Sequence, residues 1–153
     1  IKIGSFGAQE VSNIAWALSK LSVSHLPLLD VIADRVVRRI SDFDHQGLAN
    51  TLWAFATISL HHMPLFAAIA GHSQAIIETF SPMDLSRIAW SVATLAYVDE
   101  PLLTSLAERA MRTISQFEVH NLSTMAWSLA ALSVNAAQPL LHAISGHAQQ
   151  LLA

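Results

Sequence analysis

Trp16, Trp53, Trp90 and Trp127 stand 37 residues apart, and Phe6, Phe43, Phe80 and Phe117 keep the same interval. The neighbours of each tryptophan repeat with it: NIAWALSKL, NTLWAFATI, RIAWSVATL and TMAWSLAAL. A fixed period of this length marks a tandem array, in which one unit cannot bury its apolar face alone and stacks on its copies. Thirty-seven residues suit one helical hairpin. The chain is therefore expected to be all-α, a right-handed α-solenoid of four hairpins and eight helices. It reads as a single repeat domain over 1–153, with units near 6–42, 43–79, 80–116 and 117–153.

Each unit carries the same punctuation. The residue after the phenylalanine is Gly7, Asp44, Ser81 or Glu118, three of which suit a helix start. Ser81-Pro82-Met83-Asp84 is the clearest, with a capping serine, a proline at the first helical position and an acid at the third. The first helix of each hairpin, helix A, is expected near 8–22, 45–59, 82–96 and 119–133. Pro27, Pro64, Pro101 and Pro139 open helix B, because a proline in the first turn forfeits no helical hydrogen bond. The last interval is one residue longer, which places an insertion in the turn around Asn135, Ala136, Ala137 and Gln138. Val11, Ile14, Leu18 and Leu21 make one apolar stripe, and Trp16 points away from it. A helix apolar on two sides is expected to be sandwiched, so A forms the inner layer and B the outer.

Hydrophobic residues make up 53% of the 153, and charged residues only 12%, against the ~25% usual in soluble domains. A solenoid has little interior per repeat, so this points to surface that meets a partner. No apolar run of about 18 residues is present to cross a membrane. The chain has no cysteine, which excludes disulfides and thiolate zinc sites. It starts at Ile1 and ends in an uncapped apolar helix, which reads as a segment that aggregates without its neighbours.

The motif itself, seen as FGAQEVSNIAWALSKL, FDHQGLANTLWAFATI, FSPMDLSRIAWSVATL and FEVHNLSTMAWSLAAL, resembles the octotricopeptide and heptatricopeptide repeats of organellar proteins. That resemblance implies an α-solenoid in the RNA metabolism of a chloroplast or mitochondrion. It covers nearly the whole chain, and no RAP domain is visible within these 153 residues.

A single-strand reader needs side chains that can hydrogen-bond base edges, presented once per unit. Gln9 and Asn13 share one helix face, and their counterparts are Gln46 with Asn50, Met83 with Arg87 and His120 with Thr124. All of these except Met83 are candidate RNA contacts. The competing reading is that Asn13 and Asn50 bridge adjacent hairpins. Arg35, Arg38, Arg39, Arg109 and Arg112 are candidate phosphate contacts, although a broken stripe of arginine and a net charge of −3 do not resemble a phosphate-tracking groove. Arginine in a last helical turn is also explained by the helix dipole. The four tryptophans and four phenylalanines are expected to be structural, packing one repeat on the next, with base stacking the weaker alternative.

Nothing points to catalysis. Neither a G-x-S-x-G elbow nor a glycine-rich phosphate loop is present, and the eight histidines lack the spacing of a zinc site. No metal, cofactor or small-molecule substrate is expected. Two readings follow: a non-catalytic module binding single-stranded or ribosomal RNA, or a scaffold subunit bound to proteins of a large organellar complex. For the second, the uncharged LFAAIAGHSQAII and LLHAISGHAQQLL segments would supply the docking faces.

Overall fold

The computed structural model of the protein describes residues 6–132 and 138–152. Among them are eight α-helices and no strand: α1 Ala8–Lys20, α2 Leu26–Arg38, α3 His45–Thr57, α4 Met63–Ala75, α5 Pro82–Thr94, α6 Glu100–Arg112, α7 Val119–Ala131 and α8 Gln138–Leu152. Odd-numbered helices are the A helices and even-numbered ones the B helices, so the fold is a stack of helical hairpins. The insertion expected around Asn135, Ala136 and Ala137 lies outside the described residues.

The A helices end two residues earlier than the apolar pattern suggests, and α1, α3 and α5 close in the same way. Ser22, Ser59 and Ala96 take left-handed φ values of 54°, 54° and 49°. The amide two positions past each cap then donates back into the helix, Val23 to Leu18, Leu60 to Phe55 and Tyr97 to Val92, each at 2.9 Å. This is a Schellman closure built without glycine, at a cost of roughly 1–2 kcal/mol each for a left-handed L-residue. The B helices begin earlier than expected, which puts proline at their second position. The caps of α2, α4 and α6 are His25, His62 and Asp99, whose side chains accept from the amides of Leu28, Leu65 and Leu102. Three one-turn 3-10 elements follow these B helices, at Ile40–Asp42, Ile77–Thr79 and Ile114–Gln116. They turn the chain so that Phe43, Phe80 and Phe117 drop into the core.

Starts of the A helices differ between units. Asp44 accepts from the Gly47 amide at 2.8 Å. Ser81 and Asp84 form the full capping box, and the Asp84 carboxylate also accepts from the Ser81 amide at 3.1 Å. Gly7 and Glu118 make no side-chain cap.

The A helices lie side by side along their lengths, α1 on α3, α3 on α5 and α5 on α7, while the B helices meet more sparsely. A stack spaced more closely on one side bends toward that side, so the A helices line the inner surface. Between the layers runs one continuous core that includes Leu29, Leu48, Phe55, Phe66, Leu85 and Leu106, all inaccessible or nearly so. Leu21 departs from the expected stripe. It is 73% exposed, whereas its counterpart Leu95 is 3% exposed. Leu95 sits on the preceding hairpin, whose His61 imidazole reaches the Leu95 carbonyl at 3.2 Å. Among the described residues no hairpin precedes Leu21.

Candidate nucleic-acid interface

The tryptophan positions decide the character of the inner surface. Four residues of one helical register, each one hairpin further along, must form a row across the A layer. The rings, expected to pack one repeat on the next, are covered to different degrees. Trp16 is 41% exposed and Trp127 54% exposed, and Trp53 and Trp90 are half-buried. Small residues on the A helices, such as Ala15, Ala49, Ser12 and Ser86, are buried instead, and they let successive A helices pack closely. The rings lie over the seam instead. Trp53 and Trp90 do meet across repeats, with centroids 6.3 Å apart and planes tilted by 33°. Among the phenylalanines, Phe43, Phe80 and Phe117 are buried and Phe6 packs against the core.

Beneath the row runs a cleft of about 410 Å³, lined by Trp16, Lys20, Trp53, Met83, Ser86, Arg87, Trp90, His120, Asn121 and Thr124. A second opening of about 260 Å³ continues it, lined by Trp90, His120, Ser123, Thr124 and Trp127. Of the stripe read from the sequence, Arg87, His120 and Thr124 are therefore in the groove. Asn50 reaches it indirectly, because its side-chain oxygen accepts from Arg87 Nη1 at 2.7 Å across the repeat boundary. That bond matches the bridging reading of Asn50. It also fixes the Arg87 guanidinium in place, with four of its five donors left over. Gln9, Asn13 and Gln46 are exposed and do not line the groove.

The groove is cationic in a chain that is acidic. Lys20 and Arg87 are among its lining residues, and no carboxylate is. Lys20 places its ammonium 5.6 Å from the Trp16 ring centroid and 5.1 Å from that of Trp53. This lysine is not in the stripe read from the sequence, yet it leaves a signal: it lies four residues after Trp16, on the same helix face. Asn121 is outside that stripe too. It is buried beside the cleft, where it accepts from the Ser86 hydroxyl at 3.3 Å.

The five arginines expected on phosphates sit elsewhere, at the C-terminal ends of B helices, and four of them pair with carboxylates. Arg38 pairs with Asp34 at 2.9 Å and Arg39 with Asp42 at 2.7 Å. Arg109 and Arg112 both bind the Glu78 carboxylate, and Arg109 also donates to the Glu78 carbonyl at 2.8 Å. Arg35 donates to the Phe6 carbonyl at 3.0 Å. Arg35 and Arg109 thus tie a B helix to the segment that leads into its own hairpin. Their sequence clustering reflects helix-dipole and carboxylate partners rather than a groove.

The seam between the second and third hairpins carries a further polar contact. His45 Nδ1 and the buried Asp84 carboxylate are 2.8 Å apart. This pair stands at the rim where helices α3 and α5 begin, and it locks their relative height. Among the described residues no helix is long and apolar enough to cross a membrane.

Comparison with known proteins adds the family. No curated protein shows significant similarity to the chain. A family model described as RNA-editing substrate-binding complex 6 protein, RESC6, matches residues 2–152. The match carries that description and not the octotricopeptide or heptatricopeptide one that the motif suggests. With nearly its whole length covered in one match, the chain belongs to the RNA-editing substrate-binding complex 6 protein family.

Proposed function

We propose that the protein is a non-catalytic helical-repeat subunit that holds single-stranded RNA on its inner surface within an RNA-editing assembly. The observation that carries this reading is the groove: a row of four indoles with Lys20 and Arg87 among the lining residues and no carboxylate. Aromatic rings that stack bases, joined to cations that meet the phosphates, are what sequence-tolerant single-strand binding requires. The family's name, which speaks of a substrate-binding complex for RNA editing, supports the same ligand. An organellar setting, chloroplast or mitochondrion, rests on the repeat resemblance alone. The octotricopeptide-like character of the unit likewise rests on its motif.

Titration of fluorescent single-stranded RNA pools at low and moderate salt tests this reading. Saturable binding that weakens with salt, and weakens again in Lys20→Ala with Arg87→Ala, supports it. Absence of binding at low salt, where electrostatic attraction is greatest, sinks it.

A second surface favours protein partners as well. Helix α4 exposes Met63, Ala67, Gly71 and Ala75 along one face, with no charge among them. Gly71 has open space where a Cβ would stand. A partner helix could approach such a face closely, and the same subunit would then join RNA inside to protein outside. Gly71→Lys tests this: it should leave the fold intact and weaken incorporation into the assembly.

A further inference from the structure

The three gaps of the tryptophan row are unlike one another. The gap between Trp16 and Trp53 is filled by the Lys20 ammonium, which lies within 5.6 Å of both ring centroids. Between Trp53 and Trp90 the rings approach each other directly, at 6.3 Å. The third interval, from Trp90 to Trp127, borders the open cleft of about 260 Å³. We infer that this third interval is a slot for one unpaired nucleobase of a single-stranded RNA, resting on the reading of the groove as an RNA path.

Size, polarity and exposure converge on that ligand. The volume falls below the ~300–1,000 Å³ of drug-sized sites and suits one planar heterocycle. Two of its walls are indoles, whose faces stack on any base. The others are His120, Ser123 and Thr124. A hydroxyl can donate or accept, and an imidazole can do either through its two nitrogens, so the walls can meet a base edge. The Ser123 hydroxyl already donates to the His120 carbonyl at 2.9 Å, which leaves it free to accept. Trp127 is the most exposed of the four indoles at 54%, and a stacked base would cover its apolar face.

Charge sets the approach. Arg87 and Lys20 lie in the adjoining cleft, so a strand with its phosphates there would present the next base at the slot. A paired base cannot enter, since its edge is occupied and its faces are stacked. The slot thus favours unpaired over duplex RNA. Its contacts are hydroxyl and imidazole groups rather than a bidentate fork, which makes it tolerant of base identity.

The probe is a single-stranded RNA of about ten nucleotides, within the usual span of such sites, with 2-aminopurine at successive positions. Stacking against indole should quench the fluorophore at a restricted set of positions. Trp127→Ala should abolish that quenching and lower affinity roughly tenfold, and Trp127→Phe should restore most of both. Far-ultraviolet circular dichroism should be unchanged, because the ring is exposed. A duplex of the same sequence should compete poorly. If Trp127→Ala binds as tightly as the parent, or the duplex competes equally, the base slot is wrong. In that case dependence on Lys20 and Arg87 would still uphold the groove as an RNA path. If no RNA binds at all, both readings fall together and the cleft is left to a protein side chain.

Discussion

The protein presents cations on two surfaces and uses them in opposite ways. On the inner surface Lys20 lies against indoles and Arg87 is steadied by a neutral amide, so both keep their positive charge open to a ligand. At the ends of the B helices, Arg38, Arg39, Arg109 and Arg112 each sit on a carboxylate. The distribution teaches that net charge and charge clustering are poor guides to an interface in a repeat protein. A single arginine without a carboxylate offers more to a phosphate than four that are paired, because the paired ones must first give up a partner.

Experiments can press on that contrast in order of expected size. Both surfaces depend on the shared core, so Phe66→Ala should erase the distinction by destabilising the whole stack. Phe66 is 1% exposed, and such truncations cost about 3–5 kcal/mol, read from urea unfolding. Combining Lys20→Ala with Arg87→Ala should reduce single-stranded RNA affinity at least tenfold. It should also shrink the salt dependence by ~0.7 in log–log slope for each phosphate that is no longer neutralised. Arg109→Ala should do the converse: stability falls by about 1 kcal/mol while RNA affinity is unchanged. A loss of RNA affinity there comparable to that of the groove pair would contradict the division of labour.

Smaller effects sharpen the picture of the frame. Gly71 is helical, exposed and unobstructed, so Gly71→Ala should stabilise by about 0.5–1 kcal/mol without touching the groove. The reverse logic holds at the left-handed Ala96, where Ala96→Gly should relieve strain by about 1 kcal/mol. Burial, together with the Asp99 carboxylate beside it, raises the Tyr97 hydroxyl above its ordinary value of 10.0. The folded state therefore holds this proton more tightly than the unfolded chain. Its contribution is complete below the unfolded value and is lost as pH rises above it toward the folded one. Tyr97→Phe should remove that part of the alkaline decline in unfolding midpoint.

Much of the architecture is legible in the chain alone. The period, the hairpin unit, the inner position of the A helices and the capping box at Ser81 all follow from local patterns that recur in register. The helix ends are misread for a definite reason. Leu21, Ile58 and Leu95 continue the apolar pattern, but each is already the C-cap, and the next residue turns left-handed to close a Schellman motif. The histidine caps at His25 and His62 escape notice because histidine is an uncommon cap, although their shared 37-residue register with Asp99 gives a clue.

The candidate site is less legible. A sequence gives each tryptophan's phase on its own helix, and that phase does lie off the main stripe. It does not give the width of the seam between helices, which decides whether an indole fits inside or lies on top. It gives the charge of an arginine, but not whether Glu78, 31 positions before Arg109, will reach it.

Helix periodicity, capping and repeat length are local properties, so the stack of helical hairpins is written in the chain itself. Which face is open and which cations lack a carboxylate partner emerge once the hairpins pack together. Those depend on how closely successive A helices approach, and that distance is set by packing across repeats.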